Sequence, residues 1–173
     1  MNKAALDAFW DQFRQKYGVY LRLLEAFPED RYHTHLVPEM RTFAVLSVHI
    51  SGTIVRDIAE GVAKGRITAD EASEDETAAG LRDRPALLAF ARECFERADA
   101  AVSRIGDAEL AAMVPTPWGF DFPGSVAFHV LNDEFVHHRG QLHVYARLAG
   151  FAPPFVWGYA DNAPEFQPGV RAG

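Results

Sequence analysis

The sequence predicts an all-α fold, a four-helix bundle that is followed by an irregular C-terminal tail. Four stretches carry apolar side chains three or four positions apart, which is the spacing of one face of an α-helix. Segments rich in proline, glycine or charge separate these stretches, and none alternates apolar and polar residues as a half-buried strand would. Because the chain has 173 residues, we expect residues 1–173 to form one domain.

The first two predicted helices are separated by a short link that contains prolines. The first helix covers about residues 4–27, where aromatic and leucine side chains share one face and polar side chains the other. Pro38 suits the first turn of the second helix, and Glu39 complements the positive end of that helix. The second helix is predicted to end near Gly61 or Gly65.

An acidic connection, residues 66–83, is predicted between the second and third helices. It has many carboxylates and few large apolar side chains, which is typical of a solvated segment with at most a helical turn. Asp83 is placed to cap the third helix, and Gly106 is placed to end it. Cys94 falls on the apolar face of this helix, so we expect its thiol to be buried and unreactive.

The fourth predicted helix covers roughly residues 124–148 and is followed by Gly150. The remaining segment, residues 151–173, is interrupted by prolines and glycines and is therefore predicted to be an irregular tail. Aromatic residues of this tail are expected to anchor it to the bundle: Phe155, Trp157 and Tyr159.

The composition excludes several classes of function. Lysine and arginine total 17 against 24 aspartates and glutamates, and the net charge of −7 argues against non-specific nucleic-acid binding. A single cysteine excludes an internal disulfide and a thiolate-rich metal site, so we expect a cytoplasmic location. No stretch has the pattern of an export signal or a membrane span, so we expect a soluble protein that does not bind membranes.

Histidines are concentrated in the fourth predicted helix, which contains four of the seven. Glu134 and His138 stand four residues apart on one face of this helix, so they are suited to hold one metal ion together. His49, in the apolar middle of the second helix, is the best candidate for a third ligand. Two imidazoles and one carboxylate suit Zn²⁺, Ni²⁺ or Fe²⁺ and leave a coordination position open for water or substrate.

The spacing alone leaves other interpretations open. Glu–His pairs four residues apart are common on solvated helix faces, and a single core histidine is more often hydrogen-bonded than metal-bound. Asp133 and His137 form a second pair with the same spacing, about 100° around the helix. Gln141 and Tyr145 lie beyond the first pair on its face and are predicted to orient a substrate, whereas Trp118 is interpreted as a packing residue.

Six short motifs have the order and spacing of a known helical family. They are Pro38-Glu39-Met40-Arg41-Thr42, Val48-His49-Ile50, Pro117-Trp118-Gly119, His137-His138-Arg139-Gly140-Gln141-Leu142, Arg147-Leu148-Ala149-Gly150 and Pro153-Pro154. Together they resemble the DinB family, a superfamily of four-helix proteins that includes YfiT-like proteins and thiol-dependent transferases. The resemblance spans about residues 5–155, and the run that begins with two histidines is its most specific part.

The resemblance implies a metal site made by the second and the last helix. The family binds its metal with one histidine on the second helix and two on the last, and these positions fall on His49, Glu134 and His138. Glu134 departs from the family's usual histidine. The site is therefore expected either to bind metal with an altered preference or to have lost it, with Glu134 paired to His138. The resemblance also implies a homodimer.

Two hypotheses of function result. The first is a DinB-like divalent-metal-binding protein that is a metal-dependent enzyme acting on a small-molecule substrate. The resemblance implies a transferase with a small thiol cosubstrate, or a hydrolase. The second hypothesis is a non-catalytic, stress-associated helical bundle that acts through protein association. The metal content of the purified protein separates them, because the first requires stoichiometric metal that is lost when His49 or His138 is replaced.

Overall fold

The computed structural model describes residues 1–167, in which helices account for most of the regular structure. The helices are α1 (Lys3–Ala26), α2 (Phe43–Val48), α3 (Ile58–Lys64), α4 (Glu74–Gly80), α5 (Arg84–Arg104), α6 (Asp107–Ala111) and α7 (Gly124–Leu148). A π-helical segment, His49–Asp57, joins α2 to α3 without a break, so that together they form the second long helix. Strands β1 (Met113–Val114) and β2 (Phe122–Pro123) form a short antiparallel pair before α7.

The four long helices pack as a bundle, which confirms the all-α fold predicted from the periodicity. Helix α1 and the second long helix each pack against both α5 and α7. Trp10 and Phe13 of α1 contact Phe95 of α5 and Phe135 of α7, with ring centroids 5.7 and 4.8 Å apart respectively. These buried rings supply much of the apolar area that holds the helices together.

Within residues 1–167, no helix combines the length and the apolar character needed to cross a bilayer.

The second long helix begins at Phe43 rather than in the turn of Pro38, which corrects the predicted start. Thr42 caps it, since its hydroxyl accepts a hydrogen bond from the backbone N–H of Val45 at 3.3 Å. Glu39 has a φ of 65°, a left-handed conformation that a right-handed helix running from Pro38 does not accommodate. A capping hydroxyl is thus a better guide to this helix start than the preceding proline.

The predicted acidic connection is more ordered than its composition indicates. A 3₁₀ turn, Glu71–Ser73, leads into α4, which packs against α2. One face of α4 is buried and carries Glu74 and Ala78. The prediction of a merely solvated segment is therefore wrong for this face, because Glu74 is buried with hydrogen-bond donors around it.

The ends of the last two long helices follow the sequence signals. Asp83 caps α5 as predicted, and Gly106 directly follows its C-cap Ile105, where a C′ residue was predicted; Gly106 is in addition the N-cap of α6. The Glu109 carboxylate accepts a hydrogen bond from the Gly106 backbone N–H at 2.8 Å, which fixes this second role. Helix α7 has the predicted bounds, and Gly150, with φ of 91°, follows it.

The tail after α7 is irregular, with 3₁₀ turns at Tyr159–Asp161 and Pro164–Phe166. Two of its three predicted anchors are wrong, because Phe155 and Trp157 are 69% and 67% exposed. The last six residues of the predicted tail, 168–173, lie outside the described residues. The segment is therefore attached to the bundle by other side chains.

A notch at Gly18 of α1 provides the attachment of the tail. A Cβ atom at this position would come within 2.6 Å of both Asn162 and Phe166, so the missing side chain is what lets the tail approach. Phe166 is buried there, and the Asn162 side-chain amide donates to the carbonyl oxygen of Gln15 at 2.9 Å. Which side chains of the tail are buried thus depends more on the shape of α1 than on the size of the tail's aromatic residues.

Two buried tyrosines of α1 reach the point where the second long helix becomes π-helical. The Tyr20 hydroxyl donates to the carbonyl oxygen of Ser47 at 3.1 Å and lies 2.9 Å from Ser51 Oγ. The Tyr17 hydroxyl lies 3.2 Å from Ser51 Oγ and donates to the carbonyl oxygen of Ala91 in α5 at 2.8 Å. A helix carbonyl that accepts a hydrogen bond from a hydroxyl outside the helix is drawn away from its hydrogen bond within the helix. This favours a wider turn.

Cys94 lies in the core, as predicted, with 2% of its surface exposed. Burial raises the pKa of the thiol to about 12, although Arg56 donates to its sulfur at 3.7 Å. The thiolate, which is the nucleophilic form, is therefore scarce near neutral pH. This side chain has a packing role.

Two glycines of α7 provide a matched test of this packing. A Cβ atom at Gly124 would collide with the backbone oxygen of Glu109 and approach Val62, whereas one at Gly140 would meet nothing within 4 Å. We expect Gly124→Ala to lower the free energy of unfolding by about 1–3 kcal/mol, and Gly140→Ala to raise it by about 0.5–1 kcal/mol. Urea unfolding followed by circular dichroism measures both, and a destabilising Gly140→Ala would contradict the open surface assigned to that position.

Candidate functional site

The predicted ligands His49 and His138 lie side by side inside the bundle, where the π segment faces α7. They are 5% and 8% exposed. Their ring centroids are 4.8 Å apart and their planes are nearly perpendicular, at 89°. The structure thus brings together two histidines that are far apart in the sequence. Glu134, the third predicted ligand, is adjacent, with its Oε2 3.3 Å from Nε2 of His138.

A buried carboxylate, which the sequence analysis did not identify as a site residue, fixes the His49 ring. Oε1 of Glu74 lies 2.7 Å from Nδ1 of His49 and accepts a hydrogen bond from the Thr53 hydroxyl at 2.6 Å. Burial favours a higher pKa for Glu74, but the hydrogen bonds from His49 and Thr53 and the nearby Arg41 charge outweigh it and lower the pKa below 4.5. Glu74 is therefore ionised and can only accept, so His49 donates from Nδ1. In a neutral His49, Nε2 is then left with a free lone pair.

His138 is held in a corresponding way by Gln141. Its Nδ1 lies 2.8 Å from Oε1 of Gln141, while Nε2 of the same amide lies 3.2 Å from Nε2 of His137. Burial, together with the nearby His49, lowers the pKa of His138 below its ordinary 6.5, which favours the neutral ring. With the proton on Nδ1, the Nε2 lone pair of His138 faces the carboxylate of Glu134.

These groups fit a divalent cation by their chemistry. Two imidazole Nε2 atoms with free lone pairs and one carboxylate are typical ligands of transition metals, and hydrogen bonds to each Nδ1 are the usual support of metal-binding histidines. Within residues 1–167, however, no group of three or more His, Cys, Asp or Glu side chains is placed so that it could hold a metal ion as the structure stands. A lone pair facing a carboxylate is unfavourable, so this pair requires either a cation or a proton between Nε2 of His138 and the Glu134 carboxylate.

The alternative pair, Asp133 and His137, is on the outer face of α7. Both residues are exposed, whereas His138 is buried and Glu134 is half-buried. Because neighbouring residues diverge by about 100° around a helix, only one of the two pairs can face the bundle interior. The structure places Glu134 and His138 on that side.

A cavity of about 390 Å³ opens beside the two histidines. This volume is within the usual range for a small-molecule site. Its wall has a polar part, made by Arg41, His49, Glu71, Glu134 and His138, and an apolar or aromatic part, made by Ile54, Ile58, Trp118, Phe120 and Val130. The candidate metal ligands thus share a small-molecule-sized space with an arginine and a largely apolar surface.

The two predicted substrate-binding residues have positioning contacts in the structure. Gln141 holds His138, and Tyr145 is buried and donates from its hydroxyl to the carbonyl oxygen of Arg41 at 2.7 Å. In the described part of the chain neither belongs to the cavity wall, so their contact with substrate stays a prediction. Trp118, interpreted from sequence as a packing residue, lines the cavity and donates from its indole N–H to Glu71 at 3.0 Å.

Sequence reasoning missed Glu74, Thr53 and Arg41 as parts of the site. For Glu74 a weak signal existed, because Glu74 and Ala78 are four residues apart and therefore share one face of α4. For Thr53 the signal was its spacing of four residues from His49. Arg41 belongs to one of the six family motifs, but the sequence does not show that its side chain lines the cavity.

Comparisons with known proteins agree with the fold. The sequence model of the DinB superfamily matches residues 12–142. Among solved structures, a DinB-like protein from Bacillus subtilis, YjoA, is similar with a TM-score of 0.65 and 20% identity, over 82% of this chain and 92% of that chain. At that identity the likeness shows the fold alone. No curated protein matches the sequence.

The buried carboxylate makes a prediction about acid stability. Because the folded protein holds the pKa of Glu74 below its ordinary 4.5, the ionised form contributes stability above that value and loses it as the pH falls through the folded pKa. We expect Glu74→Gln to lower the free energy of unfolding by about 1–3 kcal/mol near neutral pH. The difference from the wild type should shrink below about pH 4.

Glu76→Gln is the control for this measurement, since Glu76 is exposed on the same short helix. Urea unfolding of the three proteins across the acid range provides the comparison. A Glu74→Gln deficit that stays constant with pH would show that the carboxylate charge is not what stabilises the fold.

Proposed function

The chain belongs to the DinB superfamily, and we propose that it is a metal-dependent enzyme that holds a divalent ion with His49, Glu134 and His138. The observation that carries the proposal is the meeting of two buried imidazoles whose Nδ1 atoms are both engaged by acceptors. Each ring therefore presents Nε2 as its free donor atom. Glu134 adds a carboxylate oxygen 3.3 Å from one of them.

The donor set favours a transition metal over a hard cation. Two imidazoles and one carboxylate suit Zn²⁺, Ni²⁺ or Fe²⁺, and three protein ligands leave a position for a reacting group. Glu74 and Gln141 support the rings from behind, which is the role that carboxylates and amides have around metal-binding histidines. Replacement of the family's usual histidine by Glu134 adds negative charge and is compatible with metal binding.

The chemistry proposed is activation of a small thiol cosubstrate for transfer, or of water for hydrolysis. When bound, the ion supplies Lewis acidity and lowers the pKa of a coordinated thiol or water. The residues of the chain orient and shield the reactants. Ile54, Ile58 and Val130 keep bulk water from one side of the cavity, and Arg41 provides positive charge at its polar wall.

Metal binding is tested with two ligand variants and a control on the same helix as His138. We expect the purified protein to take up one divalent ion per chain, and His49→Ala and His138→Ala each to weaken this binding by at least about tenfold. His129→Ala should bind as the wild type does, because His129 is exposed on α7. Isothermal titration with Zn²⁺, Ni²⁺ and Fe²⁺, followed by elemental analysis, measures these affinities.

Thermal unfolding gives an independent readout of the same site. An ion that binds only the folded chain stabilises it by about 2.7 kcal/mol at a hundredfold excess over Kd, so the melting temperature should rise by several degrees. Absence of uptake and of any thermal shift with all three ions would reject the metal proposal. The non-catalytic helical-bundle protein would then be the better hypothesis.

Glu134 is tested separately because it departs from the family pattern. We expect Glu134→Ala to weaken metal binding by at least about tenfold while the bundle stays folded, since one of three ligands is lost. Glu134→His should keep or strengthen Zn²⁺ and Ni²⁺ binding, for which imidazole is a good ligand. Should Glu134→Ala bind metal as tightly as the wild type, Glu134 is not a ligand and only pairs with His138.

A further inference from the structure

Arg41 lines the cavity beside the histidines without a hydrogen bond to hold its guanidinium. Its Nη2 is 3.6 Å from Oε2 of Glu71 and 3.7 Å from Oε2 of Glu74, which are ion-pair distances too long for a hydrogen bond. Among the described residues, its side chain donates to no other group. The Arg41 side chain is 39% exposed, and it lines both this cavity and a neighbouring one that Glu71 and Glu74 also line.

The two carboxylates near Arg41 are already engaged by other donors. Glu71 accepts the indole N–H of Trp118, and Glu74 accepts from His49 and Thr53. Neither carboxylate therefore needs the guanidinium as a hydrogen-bond partner. Arg41 is left as the cation of this wall with donors available to a ligand.

The backbone of Arg41 is held in place, although its guanidinium is only ion-paired and not hydrogen-bonded. The buried Tyr145 hydroxyl donates to the Arg41 carbonyl oxygen at 2.7 Å, and the next residue, Thr42, caps α2. The side chain therefore starts from a fixed point at the edge of the cavity. A planar guanidinium held in this way matches a carboxylate, which it can bind through two parallel hydrogen bonds.

The part of the cavity wall that carries no polar side chain is suited to an uncharged, apolar group. Ile54 and Ile58 of the second long helix, Val130 of α7 and the aromatic Phe120 contribute to it. A volume of about 390 Å³ accommodates a small molecule. A ligand that fills this space and reaches Arg41 must combine an apolar body with a polar end.

We propose that the cavity binds a small amphipathic anion, a molecule with an apolar body and a terminal carboxylate that forms a paired hydrogen bond with Arg41. This names the substrate class of the proposed enzyme, and it rests on that function only in taking this cavity as the substrate site. The Arg41 contact itself requires no metal. It can therefore be tested on metal-free protein, where a carboxylate has no metal ion to bind.

The experiment compares three probes of nearly equal shape: phenylacetate, its neutral isostere phenylacetamide, and the cation phenethylamine. The readout is the set of tryptophan indole N–H signals in proton–nitrogen NMR spectra. Trp118 lines the cavity. Trp10 and Trp157 serve as internal controls, because the Trp10 indole is hydrogen-bonded to Asp99 of α5 and Trp157 is exposed on the tail. Trp118→Phe assigns the reporting signal.

We expect phenylacetate to shift the Trp118 signal with a Kd at least about tenfold lower than that of phenylacetamide, because a hydrogen-bonded charge pair is worth more than a neutral contact. Phenethylamine should bind more weakly than either. Arg41→Met should remove the preference for the acid, and Arg41→Lys should retain part of it, since the charge stays but the paired geometry is lost. Arg31→Met, at an arginine outside this cavity wall, should leave the preference unchanged.

Several results would overturn the proposal. They are equal affinity for acid and amide, tighter binding of the amine, a preference that survives Arg41→Met, larger shifts at Trp10 or Trp157, and no binding of any probe. A preference for the acid that appears only after Zn²⁺ is added would place the anion on the metal and would also overturn it. Should Arg41→Met fail to fold, Arg41→Gln and Arg41→Lys decide the question in the same way.

The outcomes for the two proposals are separable. An acid preference that depends on Arg41 in a chain that takes up no metal would support the amphipathic-anion site and reject the metal site. Metal uptake that depends on His49 and His138, without any acid preference, would do the reverse.

Discussion

The charge of Glu74, buried between α4 and the second long helix, is the constraint around which the site is organised. An ionised carboxylate is too costly to bury without donors, and the donors come from His49 and Thr53, with Arg41 close by. The hydrogen bonds and the ion pair of this one carboxylate orient the imidazole of His49, hold α4 against the second long helix and place Arg41 at the polar cavity wall. The acidic segment before α5 is therefore part of the site's structure.

The second long helix separates two environments of different character. On the side of α1, Tyr17 and Tyr20 place hydroxyls against the helix backbone and Ser51 within an otherwise aromatic core. On the other side, His49 and His138 meet beside the cavity. Helix α1 does not line the cavity, yet its hydroxyls contact the helix near the residue that begins the π segment. Core packing and site geometry are therefore linked through one backbone.

Local patterns were sufficient to predict the four helices and the shared face of Glu134 and His138, because helical periodicity and i,i+4 geometry depend only on nearby residues. The pairing of His49 with His138 relied in addition on the family resemblance. The features that were missed depend on distant partners. Glu74 lies in an acidic run and is buried only because donors from another helix surround it. Phe155 and Trp157 stay exposed because the notch of α1 receives Phe166 instead.

The π segment has a consequence for how this chain is compared with its relatives. A π turn bonds residue i to i+5 instead of i+4, so each such turn contains an extra residue. Every side chain that follows is rotated, on the order of 100° per extra residue, from where an uninterrupted α-helix would direct it. Side chains before His49 and side chains after Asp57 therefore follow two different angular registers around the same helix axis. In a relative whose helix is a regular α-helix, the residues that face the same direction as those of this chain therefore differ in sequence offset before and after the π segment.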